Sequence, residues 1–570
     1  MRLRRRIVAV VAAVLAASVL AGCATIPRTG PVTRGGPISA QDDSFGQIDY
    51  HPSGPVAGEA QDQVLRGFID AAVSPENGYQ IAREFLADSF KSQWNPDASV
   101  TVDQEAQRDD PSRVNSTQLA LDVTPVAFVD QAGNYSAANS QAPVPLGYSF
   151  VKQGGQWRIS KAPDGIVMDA ARFPSVFSPH ALYFYSPDFH YLVPDERWFP
   201  SSRTSIATRI VKALLDGPSA WLQDAVATAF PKGTQLTSGS VVVQNGAAQV
   251  ALNSVAGGAD QSTLDRMGEQ LSESLTTTAS VSTIALTIGG VVQDASGTSG
   301  AQHDPTVNAS PIVYQDGKFG YLTGKDVVDL DGIGAKVAAL HPRAVTVSSG
   351  ASAAAVLTSG GVYAVADSAD DPVRVDKRAG LLAPSIDSRG IVWSAVSAAG
   401  QPFAVSAADG TTTTLTAAWP DARALVAFAI SRDGSRLAAL VRTTDGQSHL
   451  MVAGIVRDAD GHASRIGEPL DLGNLGLSEG LALAWTDELS IAVLGTSPQG
   501  GTEIVTQELG GTVTTTPGPP NGVAIAGGNP SSQDWVLDSG GTLSFATPAG
   551  NAWQTALTGV GLLATQQGRG

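Results

Sequence analysis

From about residue 311 onward the chain repeats one plan, and this repetition limits its fold more than any other feature. Each unit carries an inner apolar strand, a polar turn, a second apolar strand, a loop and a third strand. The turns start near Ser348, Ser385, Ser431, Thr486 and Gly527. Their spacings of 37, 46, 55 and 41 residues are close to the length of a β-propeller blade. Asp-Gly pairs at 316, 331, 409, 433, 445 and 460, and Gly-Gly pairs at 360, 500, 510 and 540, supply hairpin turns because both tolerate positive φ. With the segment from Ile312 to about Leu330, the units predict a propeller of about six blades over 311–570. A first strand pairing with the last blade would close the ring and remove its open edges.

The other end of the chain sets location. Arg2, Arg4, Arg5 and Arg6 precede an apolar run from Ile7 to Leu20. That run is too short to span a bilayer but suits the core of an export signal. Leu20-Ala-Gly-Cys23 follows, and it resembles the lipobox of bacterial lipoproteins. The resemblance implies a signal peptide over 1–22, cut between Gly22 and Cys23, with an S-diacylglycerol and an N-palmitoyl group on Cys23. Cys23 is the one cysteine of the chain, so it has no partner for an internal disulfide. Several acyl chains together give lasting attachment. The expected location is the extracytoplasmic face of the cell membrane, reached through the lipid. Residues 23–57, with Pro27, Pro31, Pro37, Pro52 and Pro55 among glycines, read as an extended tether.

The 570 residues carry a net charge of −17. A body this acidic gains nothing from nucleic acid and is repelled by anionic headgroups, so the tether must hold it near the bilayer.

Between tether and propeller lie two α+β patterns. Over 58–172, Val64, Leu65, Phe68, Ile69 and Ala72 make one helical face. Asn77 is placed to cap a second helix with Ile81, Ala82, Phe85, Leu86 and Phe90. Strands are predicted at Ser99–Val102, Leu119–Phe128, Val144–Lys152 and Gln156–Ser160. The ending GGQWRIS resembles the last hairpin of the NTF2-like fold, with Phe85, Trp94 and Trp157 as core. Over 180–292, a strand at Leu182–Tyr185 precedes a helix carrying Ile206, Ile210 and Leu214, with Ser205 as its cap and Gly217-Pro218 as its stop. Strands at Ser240–Val243, Ala248–Leu252 and Thr283–Ile288 flank a helix around Leu264–Leu275. KALLDGPS at 212–219, PKGT at 231–234 and AQVALN at 248–253 together resemble the GerMN domain of exported bacterial proteins. Arg197 is expected to close its turn with a salt bridge. The Gly/Ser-rich stretch 293–310 reads as a linker to the propeller.

No enzyme signature emerges. The histidines, His51, His180, His190, His303, His341, His449 and His462, form no HExxH and no zinc spacing. Neither a GxSxG elbow nor a P-loop is present. Ser385-x-Asp387-x-x-Gly390-x-x-Trp393 resembles an Asp-box turn with one residue too many. Ser431-x-Asp433-Gly434-Ser435 resembles blade turns of TolB-type propellers. Both shape turns. No catalytic residue, cofactor or metal is therefore expected.

The order of lipobox, CATIPRTGPV, helix-rich α+β domain, GerMN-like domain and propeller resembles the LpqB family of actinobacterial lipoproteins. The resemblance implies a non-catalytic accessory that binds the extracytoplasmic domain of the MtrB sensor histidine kinase and modulates its two-component pathway in envelope upkeep and division. Two alternatives stand beside it. A cell-wall glycan or peptidoglycan binder would use exposed aromatic platforms, for which Trp393, Trp419, Trp485, Trp535 and Trp553 are the candidates. An extracytoplasmic hydrolase would need carboxylates about 5–10 Å apart.

Overall fold

The computed structural model describes residues 52–568 apart from 139–141, 202–205, 279, 530–533 and 548–551. The lipobox, Cys23, most of the tether and Ser205 lie outside the described residues. No helix among the described residues is long and apolar enough to cross a membrane.

In the first domain the helix Gln61–Ala72 forms as its spacing predicts, burying Val64, Leu65, Phe68, Ile69 and Ala72. Two four-stranded sheets accompany it. One runs in chain order through Ser112–Asn115, Gln118–Val123, Val144–Gln153 and Gln156–Lys161. The other is ordered Tyr135–Ala137, Pro125–Asp130, Ser99–Asp103, Ile166–Asp169. The strand expected at Leu119–Phe128 is thus two strands, broken at Thr124, one in each sheet. The expected second helix shrinks to Gln80–Glu84. Asn77 does not cap it: both Asn77 (φ 47°) and Tyr79 (φ 62°) are left-handed. The helix stops because Phe85 and Ala87 hydrogen-bond across to Ile159, so the apolar run joins a strand edge instead of extending. Phe85 and Trp94 are buried and Trp157 packs half-buried against the same core.

The second domain is organised on a long hairpin, Phe177–Tyr185 with Leu192–Pro200, paired in register from Phe177↔Pro200 to Tyr185↔Leu192. The helix Ile206–Asp216 buries Ile206, Ile210, Val211 and Leu214. It ends at Gly217, whose φ of 104° an L-residue rarely adopts. The helix Gln261–Thr276 is capped by Asp260, whose Oδ1 accepts the Thr263 N–H at 2.9 Å. Both helices share a core with the hairpin and with the sheet Val242–Gln244, Ala247–Leu252, Thr283–Ile288, Val291–Val292.

Beyond them the described residues form six blades, five of four strands and one, spanning 422–474, of five. Their innermost strands are Leu562–Gln566, Ala344–Val347, Ser385–Ile386, Ala422–Ile430, Glu479–Trp485 and Gly522–Ala526. Each touches the next, and the last returns to the first. The ring closes in the opposite sense to the expectation. The last strand joins the first blade, with Ile312–Tyr314 antiparallel to Leu562–Ala564, while Thr346–Val347 runs parallel to Thr565–Gln566. Closure by a terminal strand removes two edges at once.

Ring closure also fills the central channel. The Gln567 side-chain amide donates to the Ile386, Ile430 and Ser431 carbonyls. Arg432 donates to Trp485 O at 3.1 Å and to Gly528 O. The cavity left there is about 30 Å³.

Candidate functional site at the domain junction

The strand Leu192–Pro200 carries the junction between the three domains. Successive side chains on a strand point to opposite faces. Asp195 and Arg197 share one face; Glu196 and Trp198 share the other. Arg197 Nη2 lies 2.6 Å from Asp195 Oδ2, and both side chains are almost fully buried. Arg197 also donates to Ala132 O of the first domain at 3.0 Å and to Gly217 O at 3.2 Å. Asp195 accepts the Ser219 N–H at 2.8 Å and its hydroxyl at 2.5 Å. Arg197 does form a salt bridge, but within the strand and not at its turn, and through Ala132 and Gly217 it ties the first domain to the second.

The other face reaches the propeller. Trp198 Nε1 donates to Gly510 O at 2.6 Å, and Glu196 Oε2 accepts the Gly510 N–H at 2.6 Å. The neighbouring Gly511 has φ 98°, and a Cβ there would run into the ring of Tyr135. That ring packs near Trp198 and Phe173, so first-domain aromatics, the hairpin and a blade turn meet at one point. An apolar core continues across the boundary, with Val193, Trp221 and Leu222 packed among Ala438, Leu450 and Val452. Polar contacts surround it: Tyr183 Oη donates to Glu488 at 2.6 Å, Arg465 pairs with Asp224 at 2.8 Å, and Arg389 pairs with Asp188.

The stretch expected as a linker is tied at both ends. Gln302 exchanges backbone hydrogen bonds with His190 and Leu192 at 2.8 and 2.9 Å. Val307 N–H donates to Asn529 Oδ1 at 2.8 Å, and Asn529 Nδ2 donates to Val307 O at 2.9 Å. Pro305 O accepts from Arg432 at 3.4 Å. Residues 302–307 therefore form a strap across the mouth of the filled channel.

Two cavities open at the junction. One, of about 680 Å³, lies between the turn at Ser186–Tyr191 and the tips of the third and fourth blades, with Arg389, Asp433, Arg457 and Asp460 in its wall. The other, of about 420 Å³, is bordered by all three domains through Phe128, Tyr135, Glu196, Trp221 and Leu470.

Electrostatics at the junction run against free ionisation. Burial pushes the Glu196 carboxyl up to about 7, with Glu508 adding to the shift. Burial also raises Glu488, Asp304 and Asp534 above the ordinary carboxylate range. The Tyr183 phenol is pushed upward by burial and by Glu488. His180, half-buried beside Ser178, is pushed down to about 4 by desolvation.

The motif residues take structural roles. Asp387 accepts the Arg389 and Ile391 N–H groups at 3.0 Å, Trp393 Nε1 at 3.3 Å and Arg457 Nη2 at 2.8 Å. Asp433 accepts from Ser431, from the Ser435 N–H and from Arg436. Trp393 and Trp485 are buried in blade cores, while Trp419, Trp535 and Trp553 are half-buried. His449 pairs with Asp471 at 3.1 Å, and His303 lies 3.6 Å from Glu488. His51 is outside the described residues.

One grouping escaped the sequence reading. Ligand atoms of Asp458, Asp460 and His462 lie within 4.8 Å of one another on an exposed blade turn. The spacing D-x-D-G-H signals it. Asp458, however, already accepts the Asp460 and His462 N–H groups at 3.0 and 2.9 Å, which is the geometry of a turn.

Comparison with known proteins follows the same division. Residues 54–174 match the family described as lipoprotein LpqB, N-terminal domain. Residues 181–294 match the family described as sporulation and spore germination. Residues 317–562 match the lipoprotein LpqB beta-propeller domain. Lipoprotein LpqB of Thermobifida fusca is 34% identical over 278 residues, 47% of this chain and 44% of that relative, so the match spans under half of the relative's length. Lipoprotein LpqB of Bifidobacterium longum is 27% identical over 529 residues, 88% of each chain. Among solved structures, TolB from Acinetobacter baumannii overlaps 46% of this chain and 64% of its own at 12% identity and a TM-score of 0.32, too slight an overlap to bear on fold or function.

Proposed function

We propose that this chain, whose residues 54–174 and 317–562 match the LpqB lipoprotein models, is a non-catalytic accessory of an MtrB-type sensor histidine kinase, held by lipid on Cys23 at the extracytoplasmic face of the cell membrane. The observation that carries this reading is the filled propeller channel. Propeller sites for small substrates would sit at that axis, and here Arg432, Gln567 and the strap at 302–307 occupy it. What the molecule offers instead is broad surface on three joined domains. That suits recognition of another protein's external domain.

A tether raises the effective concentration of such a partner to the order of a millimolar when it spans the gap, so a weak contact suffices. The kinase responds only if the contact differs in strength between its two signalling states, since equal binding shifts nothing. Site-specific photocrosslinking in cells, from positions on the propeller surface, tests the reading. Recovery of the kinase's external domain supports it. Recovery of peptidoglycan fragments alone replaces it with the glycan-binding alternative.

A further inference from the structure

The 420 Å³ pocket at the three-domain junction has no use in the reading above, and its chemistry is one-sided. Its wall holds the carboxylates Asp130, Asp195, Glu196 and Glu468, and no lysine, arginine or histidine. Two of the four are already satisfied. Asp130 accepts the Ala132 and Asn134 N–H groups within its own turn. Asp195 is paired with Arg197 and Ser219.

Glu196 is different. Its one described hydrogen bond is to the Gly510 N–H, and among the described residues no basic side chain pairs with it. The charges that act on it most strongly, Glu508, Asp487 and Asp195, are acidic, and burial with them pushes the carboxyl up to about 7. A half-buried carboxylate without a counter-ion is costly, and a cation brought by a ligand removes that cost.

The rest of the wall suits the same ligand. Phe128 is 38% exposed although it sits on a strand, and Tyr135 and Trp221 border the same space. Aromatic faces attract cations, and Leu470, Pro469 and Leu509 supply apolar surface for a stem. The volume falls in the usual range for small-ligand sites. Anionic ligands are disfavoured by the same charges.

We propose that this pocket binds an organic ammonium ion carried on an apolar or aromatic stem, with Glu196 as its counter-ion. The inference does not depend on the identity of the protein partner.

Titration calorimetry on the full chain in detergent at pH 8 tests it, with 2-phenylethylammonium as the probe. The expected result is saturable one-site binding. The neutral near-isostere 2-phenylethanol should bind about tenfold more weakly or worse, and Glu196→Gln, which keeps an acceptor for the Gly510 N–H, should cost a similar factor. A second readout is independent of any variant: the carbon NMR titration of the Glu196 carboxyl should move to lower pH when the amine is present. A capped Phe-Lys-Leu peptide distinguishes the source of the ammonium group. Tighter binding of the peptide assigns a partner's lysine, and tighter binding of the free amine assigns a small ligand. Equal binding of amine and alcohol, an unchanged Glu196 titration, or no saturation overturns the proposal.

Discussion

Asp195 and Arg197 stand two residues apart on one strand and meet side by side, with Arg197 Nη2 2.6 Å from Asp195 Oδ2. The pair is buried, and its remaining hydrogen-bonding capacity reaches Ala132 in one direction and Gly217 and Ser219 in the other. Removing one partner strands a buried charge, which costs about 3–5 kcal/mol. Arg197→Ala should lower stability by that order in denaturant unfolding. The double variant Asp195→Asn, Arg197→Met should lose less, because no lone charge remains.

A second prediction separates the two aspartate turns. Asp387 gathers two backbone N–H groups, the Trp393 indole and Arg457 inside the ring. Asp387→Ala therefore orphans Arg457 and should destabilise the propeller by about 3 kcal/mol or more. Asp458→Ala removes a carboxylate from an exposed turn and should cost under ~1 kcal/mol. Thermal unfolding of the two variants side by side checks the contrast.

A third prediction concerns pH. The carboxyl of Glu196 titrates near 7 in the folded protein, above its ordinary value, because burial and then Glu508 disfavour its charged form. The folded state therefore holds this proton more tightly than the unfolded state. Its contribution is fully present below the unfolded value of about 4.5 and is lost as pH rises through 7. The stability difference between wild type and Glu196→Gln should change between pH 5 and pH 8, with wild type relatively weaker at pH 8. A difference that stays constant across that range contradicts the assignment.

Much of the fold was legible because its cause is local. Alternation along Ala247–Leu252, the 3.6-residue spacing of Gln61–Ala72 and the Asp-Gly turns of the blades are short-range signals. A salt bridge at Arg197 was legible too, but its partner was not: Asp195 is chosen by the strand Leu192–Pro200, which sets both charges on one face. The junction was not legible. Trp198 and Glu196 meet Gly510 more than 300 residues away, and nothing near either glycine or tryptophan marks the contact. The same holds for Val307 and Asn529, which turn a polar, glycine-rich stretch into a strap. The truncated second helix fails for a related reason: the partner that stops it, Ile159, lies on a distant strand.

The strap gives a fourth prediction. Asn529→Ala removes both side-chain hydrogen bonds to Val307. Protease cleavage within 297–307 should then become faster than in wild type, since exposure of backbone governs nicking. Fragment masses after brief digestion report it. Equal rates would mean that the strap is held by something other than this residue.

The central claim is that the molecule works by binding a kinase's external domain and not by catalysis or glycan capture. Titration of the lipid-free protein with the purified extracytoplasmic domain of the MtrB-type kinase tests this most directly. The account predicts saturable, stoichiometric binding that needs no membrane, together with weaker signalling in cells when Cys23→Ala removes the anchor. No binding to the kinase domain, with tight binding to peptidoglycan fragments, would contradict it.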